Sequence, residues 1–131
     1  MSLSRDQIEL YQDRIGLPNN IRALLREGPD GKNALRAITA LQHHHLQTVP
    51  FENLDLCYSA HHSLPQDTES VFDHAIRQRR GGVCDQMHLL FAKLLTSFGF
   101  SVYLTGSRIN AAAGILADKN MDKFVPSFSP W

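Results

Sequence analysis

The segment RRGGVCDQMHLLFAKLL, residues 79–95, places a cysteine directly after two glycines and directly before an apolar-periodic run. A thiol attacks as thiolate, and a free cysteine titrates near ~8.5, so a reactive cysteine needs help from its surroundings. Cys84 falls at the start of the helix that the periodic run predicts, where unpaired amides and the helix dipole favour an anion. Arg79 and Arg80 add positive charge nearby. Gly81 and Gly82 lack side chains, which lets a bulky group approach the sulfur. A thiolate in this setting is suited to accept an acyl group. The same residue also fits a small buried hydrophobe in a helix. Cys57, the second of two cysteines, sits in a polar loop without comparable surroundings and reads as structural.

A cysteine acyltransferase also needs an imidazole to take the thiol proton and return it, oriented by a carboxylate. The chain has seven histidines, at 43, 44, 45, 61, 62, 74 and 88, and none beyond position 88. His88 lies four residues from Cys84, hence on the same helix face, and is a candidate substitute base. Its alternative role is that of a histidine satisfied by a neighbouring polar group. The runs at 43–45 and 61–62 raise the question of a metal. Consecutive helical residues diverge by about 100°, so three in a row cannot share one ion. No ligand-spaced motif supports a closed site, and no metal is expected. His45 precedes the stretch VPFENL and is placed to pack under it.

The elements that must position these groups are mostly helical. SRDQIELYQDRI starts with a Ser4/Gln7 capping box and carries Ile8, Tyr11 and Ile15 on one face, with Gly16 and Pro18 as stops. NNIRALLRE forms a short segment before the turn cluster GPDGKN. Asn33 then caps a helix with Leu35, Ile38 and Leu41 inward, closed near Val49 by Pro50. Residues 50–67 read as an ordered loop holding a short turn of helix. From Asp67 or Thr68 a helix buries Val71, Phe72, Ala75 and Ile76, places the cations of RQRR in its last turn and ends at Gly81-Gly82. The cysteine helix follows, with Val83, Met87, Leu90, Phe91, Leu94, Leu95 and Phe98 at helical spacing. FSVYLTG alternates as a strand does. The remainder, from Ser107, has no sustained period.

The chain has 131 residues, 43% of them hydrophobic and 20% charged, which fits one soluble globular unit with a core. Thirteen basic residues balance thirteen acidic ones, which argues against nucleic acid and anionic membranes as partners. The polar N-terminus is no secretory signal, and two cysteines in unlike contexts are no disulfide framework, so a cytoplasmic setting is expected.

VPFENLD at 49–55, followed by RRGGVC at 79–84, closely resembles arylamine N-acetyltransferases, and the likeness runs from YQDRIGL (11–17) to GSRI (106–109). The resemblance implies a mainly α, cysteine-proteinase-like first domain over residues 1–99. A small β element near 100–109 opens a β-rich second domain and irregular tail over 100–131. It implies Cys84 as the nucleophile that takes acetyl from acetyl-CoA and passes it to an arylamine, hydrazine or N-hydroxyarylamine. Glu52, Arg80, Gly81 and Gly82 are then site support, with Glu52 and Arg80 as an ion pair. The family places its histidine well after the cysteine and an aspartate further on. Here ADKNMDKF stands near the expected place without a histidine. Gln86 and His88 stand where the family often has Glu and Asn. The expectation is therefore a truncated chain, inactive or incomplete alone, that self-associates through exposed apolar surface. The alternatives are a non-catalytic interaction protein and a cysteine hydrolase or transglutaminase-like protein; VPFENLD speaks against the last.

Overall fold

The structure, a computed structural model, describes residues 2–106. Helix α1 (Arg5–Arg14) begins with the expected capping box: Gln7 N–H donates to Ser4 Oγ at 3.2 Å, and Ser4 N–H donates to Gln7 Oε1 at 2.9 Å. Tyr11 and Ile15 are buried on its inner face, and Gly16 leaves the helix at φ +63°, a conformation a side chain resists. Helix α2 (Asn19–Arg26) buries Ile21 and Leu25 and packs on α3 (Ala34–Thr48). The inward line of α3 is Ala37, Leu41 and His45, spaced by four. Leu35, expected inside, is 79% exposed, because contact with α2 turns the 37–41–45 line inward and leaves Leu35 outside it.

Helix α4 (Leu54–Tyr58) is the short turn expected in the loop after Pro50. Helix α5 (Thr68–Phe72) is capped by Asp67, whose Oδ1 accepts the Ser70 N–H at 2.8 Å. It continues as a π-helical turn, Asp73–Arg77, closed by Gln78 N–H donating to Asp73 O at 2.9 Å. Val71, Phe72, Ala75 and Ile76 are all buried, as their spacing requires. The exit differs from expectation. The helix stops before the glycines, and the chain reverses at Arg79, φ +56°, so only Arg77 of RQRR stands in the last turn. Arg77 spans Glu69 (3.0 Å) and Asp73 (3.4 Å) and lies over the Phe72 ring.

Helix α6 (Cys84–Ser97) packs on α5 with Leu90 and Leu94 fully buried, and Met87, Phe91, Leu95 and Phe98 complete the contact with the core. Leu3 N–H donates to Ser97 Oγ at 2.8 Å, which fastens the start of the chain to the end of α6. The architecture is mainly helical, around one core joining Tyr11, Leu25, Leu41, Phe72, Leu90 and Leu94. Among the described residues the sole β pairing is an isolated parallel bridge, Phe51 with Gly82. Residues 100–106 form no strand there: Tyr103 and Leu104 are exposed, with no described partner segment to pair with. The rest of the expected β element, the segment ADKNMDKF and the irregular tail lie outside the described residues.

Candidate active site

The loop before α4 and the turn before α6 meet along a backbone seam. Gly82 N–H donates to Pro50 O at 3.2 Å, and Glu52 N–H donates to Gly82 O at 3.0 Å. The approach leaves no room for side chains. A Cβ on Gly81 would stand 1.8 Å from Pro50 O, and one on Gly82 would stand 2.6 Å from Met87 Cε and 2.7 Å from Gln86 Oε1. Both glycines are buried. This corrects the reading of the pair as open space for a ligand: the chain itself fills that space.

A charged cluster closes over the seam. Arg80 Nη2 lies 2.8 Å from Glu52 Oε1 and 3.0 Å from Asp55 Oδ1. His74, from the π-turn, brings Nε2 to 2.9 Å from the same Glu52 oxygen, and its Nδ1 is 3.7 Å from Asp55 Oδ2. Desolvation is the largest single contribution and opposes the guanidinium, but the hydrogen bonds Arg80 donates to Asp55 and Glu52 and the charges of the two carboxylates together outweigh it and raise the Arg80 pKa. Glu52 and Arg80 are thus in contact. The Arg80 charge faces two carboxylates rather than standing free for the sulfur.

Cys84 is the first residue of α6 and is exposed, so it is no buried hydrophobe. Val83 at the cap offers no side-chain acceptor, which leaves first-turn amides open to an anion. The thiol donates to Asp85 Oδ1 at 3.7 Å, a long contact. Gln86 is 3% exposed and binds in two directions: Oε1 accepts Val83 N–H at 3.1 Å, and Nε2 donates to Pro65 O at 2.8 Å. A carboxylate at that position can make the first bond but not the second. Cys57 is also exposed, on α4, which overturns its reading as a packed structural thiol.

His45 does pack inside. Its Nδ1 is 2.7 Å from the Tyr11 hydroxyl and its ring lies 5.3 Å from that of Phe91 on α6. Burial first, then the nearby His88 charge, pushes the imidazole down to about 4, and burial pushes the Tyr11 phenol up. The pair is therefore neutral, with one hydrogen shared between the phenol oxygen and Nδ1. His88 is exposed one turn beyond Cys84 and close enough to His45 to act on its charge. Among the described residues no group of three His, Cys, Asp or Glu is placed to hold a metal ion.

The roles of four residues escaped sequence reasoning. Arg14 donates to three carbonyls that frame the site: Ala75 at 3.4 Å, Thr48 at 3.3 Å and Arg79 at 3.1 Å. Desolvation and the Arg79 charge lower its pKa. His74, Asp55 and Gln86 act through partners distant in sequence or hidden by the π-turn. The signal available for Arg14 was its place at the end of an amphipathic helix, where it looks like an ordinary last-turn cation.

Residues 34–123 match the family model described as N-acetyltransferase. Arylamine N-acetyltransferase 1 of Mus musculus is 35% identical over 103 residues, which cover 78% of this chain and 31% of the mouse protein. Arylamine N-acetyltransferase 1 of Oryctolagus cuniculus is 32% identical over 117 residues, 89% of this chain and 34% of the rabbit protein. A protein of Fusarium pseudograminearum named as an N-malonyltransferase is 32% identical over 114 residues, 83% of this chain and 33% of its own. The chain thus spans about a third of the length of these relatives. No solved structure gives a significant match. Among the described residues no helix is long and apolar enough to cross a membrane. With the seam and the exposed cysteine falling on the two motifs that carried the resemblance, the chain belongs to the arylamine N-acetyltransferase family.

Proposed function

We propose that Cys84 takes an acetyl group from acetyl-CoA as a thioester and passes it to an arylamine, N-hydroxyarylamine or hydrazine acceptor. One observation carries this reading: in a chain of this family, an exposed thiol stands at the first position of a helix whose entry is fixed by the Phe51–Gly82 seam. In the first step the sulfur bonds to the acetyl carbon and the bond to coenzyme A sulfur breaks. Coenzyme A leaves as a thiolate and recovers the proton that Cys84 gave up. In the second step the acceptor's nucleophilic atom, nitrogen or the N-hydroxyl oxygen, bonds to the same carbon, the bond between that carbon and the Cys84 sulfur breaks, and the acceptor's proton returns to the sulfur. His88, exposed and one turn along α6, is the proposed carrier of that proton. Residues 1–99 are the proposed nucleophile-bearing helical domain, of cysteine-proteinase-like kind.

Incubation of the full chain with acetyl-CoA, read by intact mass, tests the thioester. One added acetyl group is expected, absent in Cys84→Ala; no acetylation, or acetylation that survives Cys84→Ala, overturns the reading. Malonyl-CoA run in parallel decides the donor, which the fungal relative's name makes a real question. A Cys84 alkylation profile whose pH dependence is unchanged in His88→Ala removes His88 from the mechanism.

Exposed large apolar side chains favour a second feature, self-association. Phe51 is 69% exposed, Tyr58 83% and Tyr103 84%. A dimer or larger assembly is proposed to cover them, and a clean monomer by light scattering at high concentration contradicts it.

A further inference from the structure

Glu52 links side-chain charge to the backbone that leads into the nucleophile helix. Its N–H donates to Gly82 O at 3.0 Å, two residues before Cys84, while its Oε1 accepts from both Arg80 at 2.8 Å and His74 at 2.9 Å. Arg80 divides its Nη2 between Glu52 and Asp55, so one guanidinium nitrogen faces two carboxylates. His74 is the group that answers this shortage. A nitrogen 2.9 Å from a carboxylate oxygen carries a hydrogen, so Nε2 donates to Glu52. Its other nitrogen is turned toward Asp55 at 3.7 Å, and the side chain is 13% exposed. The π-turn supplies this orientation. The other histidines with side-chain partners serve elsewhere: His45 meets Tyr11, His44 the carbonyl of Ile15, and His62 that of Leu56.

We infer that His74 is a positioning residue for Cys84: it holds the Glu52 carboxylate, and Glu52 holds the Gly82 backbone from which α6 starts. The inference deepens the reading of Cys84 as the reactive thiol, yet its test does not require acetyl transfer to occur. The measurement is the iodoacetamide alkylation rate of Cys84, followed by peptide mass so that Cys57 is counted separately, in full-length variants checked for folding by circular dichroism. His74→Gln retains an amide nitrogen where Nε2 donates. His74→Asn places its nitrogen near the Nδ1 position instead, and His74→Leu has no donor. The Leu and Asn variants are expected to alkylate about tenfold more slowly than wild type, with Gln within about twofold of it, because small displacements of a reacting group are costly. A Leu variant at the wild-type rate overturns the inference. Should His74→Leu fail to fold, the Gln and Asn variants decide: equal rates overturn it, and a faster Gln variant sustains it. Acetylation by acetyl-CoA, read in the same wild-type sample, separates failure of the Cys84 reading from failure of this one.

Discussion

The two sides of α6 are held by opposite means. On one side, residues 50–55 and 80–82 are joined by backbone hydrogen bonds and a partly buried cluster of Glu52, Asp55, His74 and Arg80. On the other, α3 meets α6 through the His45 and Phe91 rings, with a neutral phenol–imidazole pair behind them. A histidine takes part on each side. His45 is desolvated and kept neutral, whereas His74 lies between carboxylates. The seam depends on close backbone approach and charge balance, and the opposite side on exclusion of water. Steric and polar substitutions are therefore expected to break the first, and proton uptake to break the second.

Gly81→Ala is the harshest test of the seam. Its Cβ would overlap the Pro50 carbonyl, a backbone atom that cannot step aside, so a loss of about 3 kcal/mol or more is expected in urea denaturation. Gly82→Ala meets the movable Met87 methyl and the Gln86 amide and loses less; equal losses at the two positions contradict a backbone seam.

The α3 side is probed by pH. The folded His45 pKa of about 4 lies below its ordinary 6.5, so the unfolded chain binds a proton in that window that the folded chain refuses. The stabilisation is complete above the ordinary value and is lost as pH falls through the window, on the order of 3 kcal/mol in all. His45→Gln keeps an acceptor for Tyr11 without titrating there. Denaturation at neutral pH and midway through the window should show the wild type losing more than the variant; parallel losses refute a neutral buried His45.

The smallest effect concerns the turn that leads from the π-helical segment into the seam. Arg79 holds φ +56°, so Arg79→Gly relieves a strained conformation while loosening the unfolded chain. A net gain of about 0.5 kcal/mol is expected. A clear loss in thermal melting would show that the Arg79 side chain supports the seam by contact.

Much of this comparison was written in local pattern. The Ser4/Gln7 box and the Leu90–Leu94 stripe follow from helical spacing, and the structure reproduces both. Leu35 was misread because spacing shows that a helix has an inner face but not how a neighbour rotates it. The π-turn leaves no trace in composition, since one extra residue in a turn changes hydrogen-bond partners and not residue types. His74 finds Glu52 across 22 residues, and Gln86 finds Pro65 across 21; both need the folded chain before their roles exist. Arg80 was read as a charge near the sulfur and, through the resemblance, as the partner of Glu52; its second carboxylate, Asp55, was not foreseen because only the folded chain brings it to Arg80.

The hydrogen bond from Leu3 N–H to Ser97 Oγ spans 94 residues of sequence. It ties the exchange of one amide near the chain start to fraying at the far end of the helix that begins with Cys84. Deuterium uptake at Leu3 is thus a clock for opening of that last turn, read from a position remote from the thiol and untouched by its chemistry.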